Sequence, residues 1–450
     1  MLLKNKNITV VGLGKTGIGL INYLHKEGAN IFVSVAKPLS ELTEPLASLK
    51  HIPIKLEADV HTDFIYEGKD LVVISPGVDI SAPLFKKAAS AVEVISEVEL
   101  AYRRLHGKLI AVTGTKGKST TTSLIYEIVK SAGIPAFIGG NIGNPLINEV
   151  DKVKPEGYLI SEVSSFQLEA VKNFRPHIAV VTNITEDHLD RHKSMEKYTK
   201  LKSRIFQNQT KEDFLILNYD DEITKGLAAS AKSDIYYFSK NTKPERGAFV
   251  KDGAICTVDS RGFVSEIIRT EKIKLKGAHN IENLLAACCM IPILNIKKET
   301  AVKAIENFKP LSHRLEFVRQ VNGVKFYDDS KGTNPACVMS ALRSFTEPVI
   351  LIAGGRPKET DFSYMAKLIT EKVKYFVAIG EAKDLLIEEV LKYKKIPVYK
   401  TDDFEEAVLR ARDMANAGDV VLLSPACTSF DMFKNAEERG NKFKEIINKL

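Results

Sequence analysis

The residues most ready to do chemistry are AVTGTKGKST at 111–120, set between an apolar run and a stretch of helical periodicity at 121–131. A glycine-rich turn feeding a helix N-terminus aims several backbone N–H groups at one point, and the helix dipole favours an anion there. Lys118 would reach the terminal phosphates of a nucleotide, and Ser119 would ligate Mg²⁺. The full phosphate-loop motif has a glycine where this chain has Val112, so the loop is a shortened variant. Two polar segments follow nearby strand-like runs: SEVSSFQLE at 161–169 and NITEDHLDRH at 183–192. Glu162 and His188 suit a Mg²⁺ site beside the phosphates. The i, i+4 pair of His188 and His192 also suits a transition metal, and helix capping is the bland alternative.

A second glycine loop, GLGKTG at 12–17, follows the first apolar run and fits GxGxxG. A dinucleotide site would want a carboxylate about 20 residues on. The chain reads VSVAK at 33–37, which disfavours a nicotinamide and leaves room for the diphosphate of another nucleotide. Nearer the C-terminus, DDSKGTNP at 328–335, GGRPK at 354–358 and SPACTSFD at 424–431 each form a polar turn after an apolar run. Any one could be ordinary loop chemistry, whereas three on one sheet edge make a binding surface. Cys427 lies in the last turn with no base nearby, so it reads as a packed thiol.

Short apolar strands alternating with amphipathic helices must position these turns, which predicts α/β architecture with mainly parallel sheets. Strands are expected at 8–11, 31–35, 71–75, 109–112, 158–162, 177–182, 214–218, 325–328, 349–353, 375–379, 398–400 and 420–423. A β-rich excursion covers 236–275, and helices are expected at 17–27 and 280–291. Three domains follow: 1–105, 106–310 and 311–450.

Composition narrows the class. With 44% hydrophobic and 27% charged residues, the 450-residue chain has a globular balance, and no apolar run approaches the ~20 residues of a membrane span. The N-terminus runs straight into a strand rather than a signal peptide, so a cytoplasmic protein is expected. Five cysteines without CxxC spacing exclude a disulfide framework and a zinc site. A net charge of +7, dispersed along the chain, suits anionic small molecules and not nucleic acid.

Taken in order, GTKGKST, SEVSSFQLE, NITEDHLDRH, GAHNIENLLAA, SHRLEFV and DDSKGTNP resemble the Mur ligase family over essentially the whole chain. GLGKTG, GGNIGNP at 139–145 and SPACTSFDMFKNAEERG at 424–440 are most similar to its D-glutamate-adding branch. The DNPR signature of the diamino-acid-adding branch is missing. The resemblance implies a Rossmann-like N-terminal domain, a central phosphate-loop ATPase domain and a Rossmann-like C-terminal domain. It implies ATP and two Mg²⁺ ions, with UDP-N-acetylmuramoyl-L-alanine and D-glutamate as substrates of a monomer.

By the same resemblance, Lys118, Glu162, His188 and Lys202 would be catalytic. Ser119 and Glu162 would hold one ion, and His188 and a carbamylated Lys202 the second; a solvated helix lysine is the alternative for Lys202. Gly114, Thr115, Lys116, Gly117, Lys118, Ser119 and Thr120 would bind ATP, with Asn283, Arg314 and Asp329 around its adenosine. Gly14, Lys15, Thr16, Ser75 and Asn141 would bind the UDP substrate. Lys331, Thr333, Lys358, Ser429 and Phe430 would form the D-glutamate pocket. Two positions depart from the family pattern: Val35 stands where many relatives carry an Asp, and Ala436 lies where an aromatic is usual. Folylpolyglutamate synthetase is the alternative enzyme, but no separate pterin-binding signal is present; a nucleotide-binding regulator is the non-enzymatic one.

Overall fold

Runs such as LVVI at 71–74 and VILIAG at 349–354 are apolar at every position, which suits strands covered on both faces. In the computed structural model both are buried throughout and lie inside parallel sheets. The structure describes every residue except Met1, His188, Lys276, Pro310 and 358–360, and the backbone alone at Leu189, Asp190, Ala278 and Ala336.

The first sheet is wholly parallel, in the order β3-β2-β1-β4-β5: β1 Asn7–Val11, β2 Asn30–Ser34, β3 Ile54–Glu57, β4 Leu71–Ile74 and β5 Val94–Ser96. The second sheet contains β6 Lys108–Thr113, β7 Ala136–Gly140, β8 Tyr158–Glu162, β9 Ile178–Val181, β10 Phe214–Asn218 and β11 Asp234–Ser239. It continues through β12 Gly247–Lys251, β13 Ala254–Val258 and β14 Val264–Arg269. The strand order is β14-β13-β12-β11-β10-β9-β6-β8-β7, antiparallel only across β12–β14. The expected β-rich excursion is therefore the end of β11 followed by that three-stranded extension.

The third sheet contains β15 Glu316–Val321, β16 Val324–Asp328, β17 Val349–Gly354, β18 Val373–Ile379, β19 Val398–Thr401 and β20 Val420–Ala426. Its order is β15-β16-β20-β17-β18-β19, with only β15 antiparallel. Met1–Lys274 with Ile281–Phe308 form one compact unit, holding the first two sheets, and Leu275–Asn280 with Lys309–Leu450 form a second, holding the third.

Strands β3, β5, β7 and β15 were not expected from the sequence. β5 has only three residues, all four are sheet edges, and β15 mixes polar and apolar side chains without a regular period. None is the uniform apolar run that marks a central strand.

Within the first unit, buried carboxylates tie the first sheet's last helix, Glu97–Arg104, to the second sheet's segments. Glu99 accepts the backbone N–H groups of Lys172, Asn173 and Phe174, each at 2.9 Å, and Arg103 Nε at 2.8 Å. Glu97 accepts Ile147 N at 2.7 Å through Oε1, while its Oε2 is buried without a hydrogen-bond partner among the described residues. Among the described residues no helix is long and apolar enough to cross a membrane.

Candidate active site

The phosphate loop leaves β6 and enters helix Lys118–Ser131. Gly117 caps that helix with φ +80°, and a Cβ there would run into Asn283 Oδ1. Only glycine tolerates both conditions, and it lets helix Ala278–Cys288 bring the buried Asn283 against the loop. Thr121 donates to Asn283 Oδ1 at 3.4 Å.

The turn after β9 holds the loop's other side. Thr115 N donates to Asn183 O at 2.8 Å and Lys116 N to Asn183 Oδ1 at 2.9 Å. Thr182 Oγ1 donates to Lys116 O at 2.6 Å. These bonds fix the loop, with Thr120 in the first turn of the helix that follows.

Two lysines converge on the loop's carbonyls. Lys118 Nζ donates to Thr115 O at 2.8 Å, and Lys202 Nζ donates to Gly114 O at 2.6 Å. Lys202 lies on helix Met195–Ser203 and is only 1% exposed, which removes the solvated-lysine reading. Burial, and then the neighbouring Lys118 ammonium, push its ammonium well below the usual lysine range; Asp187 and Glu162 act in the opposite direction.

Glu162 ends β8, in register with Val112 on β6, so the sheet sets it beside the start of the loop. It is 2% exposed. Oε1 accepts Asn141 Nδ2 at 2.6 Å, while Oε2 is buried and has no hydrogen-bond partner among the described residues. A bare carboxylate oxygen in the interior is costly, and a hard divalent cation is its natural partner. With Ser119 at the start of the adjacent helix, the donor set fits Mg²⁺.

The N-terminal glycine loop lies at the carboxyl edge of the first sheet. Gly14 is the N-cap of helix Lys15–Lys26, and Thr16 lies in its first turn. Ser75, just beyond β4, has a buried Oγ with no hydrogen-bond partner among the described residues, 3.0 Å from where a Cβ on Gly12 would lie. Lys15 Nζ donates to Gly143 O at 2.6 Å. That bond joins this loop to the 139–145 turn, whose Asn141 reaches Glu162.

In the second unit the expected residues again follow strands. Asp329, after β16, is buried; its Oδ2 accepts Ser424 Oγ at 2.7 Å and its Oδ1 accepts Leu315 N at 3.2 Å. Burial pushes its carboxyl up to about 7, against the hydrogen bond from Ser424 and the charge of Arg314. Arg314 and Lys331 are exposed, Thr333 is half-buried, and Ser429 is buried beside an exposed Phe430. His188 and Lys358 lie outside the described residues.

His192 is buried, 3.0 Å from Ser165 Oγ through Nε2, and stacked on both Phe166 and Tyr198. It serves packing. Sequence reading passed over two residues. Asp187 lies in the quoted NITEDHLDRH run and acts on Lys202; Arg439 lies in the quoted 424–440 run and is buried under the third sheet's turns.

Known proteins are similar to this chain in sequence and in fold. The description "Mur ligase middle domain" matches residues 112–291, "Mur ligase, glutamate ligase domain" matches 313–427, and "Mur ligase MurD-like, N-terminal domain" matches 6–96. The UDP-N-acetylmuramoylalanine--D-glutamate ligase of Caldanaerobacter subterraneus subsp. tengcongensis is 41% identical over 450 residues, 99% of each chain. That of Geotalea daltonii is 44% identical over 453 residues, covering 100% of this chain and 99% of its own. Among solved structures, the UDP-N-acetylmuramate-alanine ligase MurC of Thermotoga maritima has a TM-score of 0.62 at 19% identity, covering 99% of this chain and 100% of its own. The MurF ligase of the same organism, in complex with ADP, gives 0.60 at 17% identity, covering 99% and 96%. Full-length identity, three matched domains in order and a shared fold make this chain a member of the Mur ligase family.

Proposed function

We propose that this protein joins D-glutamate to UDP-N-acetylmuramoyl-L-alanine, using ATP, in cytoplasmic synthesis of the peptidoglycan precursor. The observation that carries the chemistry is the convergence of Lys118, Lys202 and Glu162 on one phosphate loop. The full-length relatives, 41–44% identical and named for D-glutamate ligation, support the choice of substrates.

In the first step a carboxylate oxygen of the L-alanine moiety attacks the γ-phosphorus of ATP; the bond to the β–γ bridging oxygen breaks, leaving an acyl phosphate and ADP. The amine of D-glutamate then attacks the acyl carbon, loses a proton, and inorganic phosphate departs from the tetrahedral intermediate. Phosphoryl transfer needs positioning and charge neutralisation more than covalent help. Lys118 supplies positive charge at the transferring group, and the loop N–H groups orient the phosphates. Asn141 bridges the muramoyl-alanine side to Glu162, which places the attacking carboxylate near the loop. Mg²⁺, held by Ser119 and Glu162 and, at a second position, by His188 and a carbamylated Lys202, would neutralise phosphate charge. Gly14, Lys15, Thr16 and Ser75 hold the UDP diphosphate, and Asn283 contacts the adenosine. Lys331, Thr333, Lys358, Ser429 and Phe430 receive D-glutamate, two lysines meeting two carboxylates.

Phosphate release with UDP-N-acetylmuramoyl-L-alanine and a panel of D- and L-amino acids tests this. Turnover with D-glutamate alone supports it; turnover with L-glutamate, or with a folate substrate in place of the muramoyl one, rejects it.

A further inference from the structure

Arg439, on helix Ala436–Asn448, is 1% exposed and lies under the polar turns of the third sheet. Its guanidinium reaches two of them at once. Nε donates to Ser330 Oγ at 3.0 Å and Nη2 to Ser330 O at 2.9 Å. Nη2 also donates to Cys427 O at 3.2 Å, and Nη1 to Thr428 O at 3.4 Å. Ser330 Oγ in turn donates to Ala436 O at 2.7 Å, returning the link to the helix. A third turn closes over the fork: Gly355 has φ +126°, and a Cβ there would run into Thr428 O and lie 3.2 Å from Nη1.

These acceptors are all neutral, and among the described residues no carboxylate lies within ion-pair distance of Arg439. Asp431, Asp328 and Asp329 act on it from further away. Burial pushes the guanidinium down to about 10, so it remains charged at neutral pH. A buried cation with no paired anion is expensive, and a lysine could not span the same acceptors, because only the planar fork has five fixed donors. One turn carries Lys331 and Thr333, and the other carries Ser429 and Phe430.

We propose that Arg439 is a positioning residue for the amino-acid substrate: it sets the spacing of the two turns and adds a buried positive field that favours a dicarboxylate. The inference rests on reading this edge as the D-glutamate site. The test is steady-state kinetics of the full-length enzyme, varying D-glutamate, the UDP substrate and ATP in turn, for Arg439→Lys and Ser330→Ala. Arg439→Lys, which keeps charge and loses the fork, should raise the D-glutamate KM at least tenfold while the other two KM values stay within twofold. Ser330→Ala, which removes one acceptor, should raise it about threefold. A D-glutamate KM within twofold of wild type in a folded Arg439→Lys overturns the proposal, as does a parallel rise in all three KM values. If Arg439→Lys does not fold, Ser330→Ala decides, and an unchanged D-glutamate KM there overturns it. A wild-type enzyme that releases no phosphate with D-glutamate would sink the functional reading itself, before any variant is compared.

Discussion

Asn141 Nδ2 donates to Glu162 Oε1 at 2.6 Å, and the other oxygen of that carboxylate is buried without a hydrogen-bond partner among the described residues. One residue of the 139–145 turn thus orients a carboxylate whose second oxygen is left for a cation. Glu162→Gln should therefore keep the Asn141 contact and lose the metal ligand, and Lys118→Ala should remove charge from the transferring phosphate. Each should cost about 10²–10³ in turnover, the range for loss of one electrostatic partner. Substrate-dependent ADP formation within threefold of wild type in either variant would rule the assignment out.

Lys202 should work as a carbamate. Its amine is buried against the phosphate loop beside Lys118, and a neutral amine adds CO₂ to give an oxygen ligand of the kind Mg²⁺ prefers. Lys202→Arg keeps a positive charge but cannot form the carbamate, so it should be nearly inactive. Wild-type activity should fall when bicarbonate is stripped and return when it is restored. Substantial turnover by the Arg variant contradicts the idea.

Gly14→Val separates binding from folding. Gly14 has ordinary negative φ, and among the described residues no atom beyond its own chain neighbours lies within 4 Å of a Cβ built there. The variant should melt like wild type yet bind the UDP substrate at least tenfold more weakly by calorimetry, since the new side chain would project where the diphosphate belongs. Micromolar binding of NAD to the wild-type protein would overturn the diphosphate reading of this loop.

Ser429→Ala and Lys358→Ala should raise the D-glutamate KM while leaving UDP-substrate affinity nearly unchanged. Equal losses in both, measured by kinetics and calorimetry, would place these residues elsewhere in the mechanism.

Glu97 links pH to stability. Burial pushes its carboxyl from 4.5 up to about 7. Between those values the folded state binds the proton and the unfolded state does not, so folding weakens as pH rises through this window, and the penalty is complete above 7. At ~1.4 kcal/mol per pKa unit, that penalty is on the order of 3 kcal/mol. The stability of Glu97→Gln relative to wild type should thus grow by up to that amount from pH 5 to pH 8 in urea melts. A pH-independent difference between the two proteins would show that Glu97 ionises freely.

The phosphate loop, the three groups of α/β elements and most central strands could be read from the residues, because local rules govern them. An all-apolar run such as 71–74 or 349–354 has one good solution, a strand buried on both faces, and GTKGKST must follow a strand and open a helix. Edge strands such as β15, where polar and apolar residues mix without a regular period, carry no such mark. For Lys202 the sequence left a solvated helix lysine open. The tertiary structure decided that it is buried on Gly114 O, because only packing can remove water from an ammonium. The same holds for Glu162, set beside the phosphate loop by the register of β6 on β8, and for Arg439, whose acceptors at 330 and 427–428 lie far from one another along the chain and meet only once the third sheet has formed.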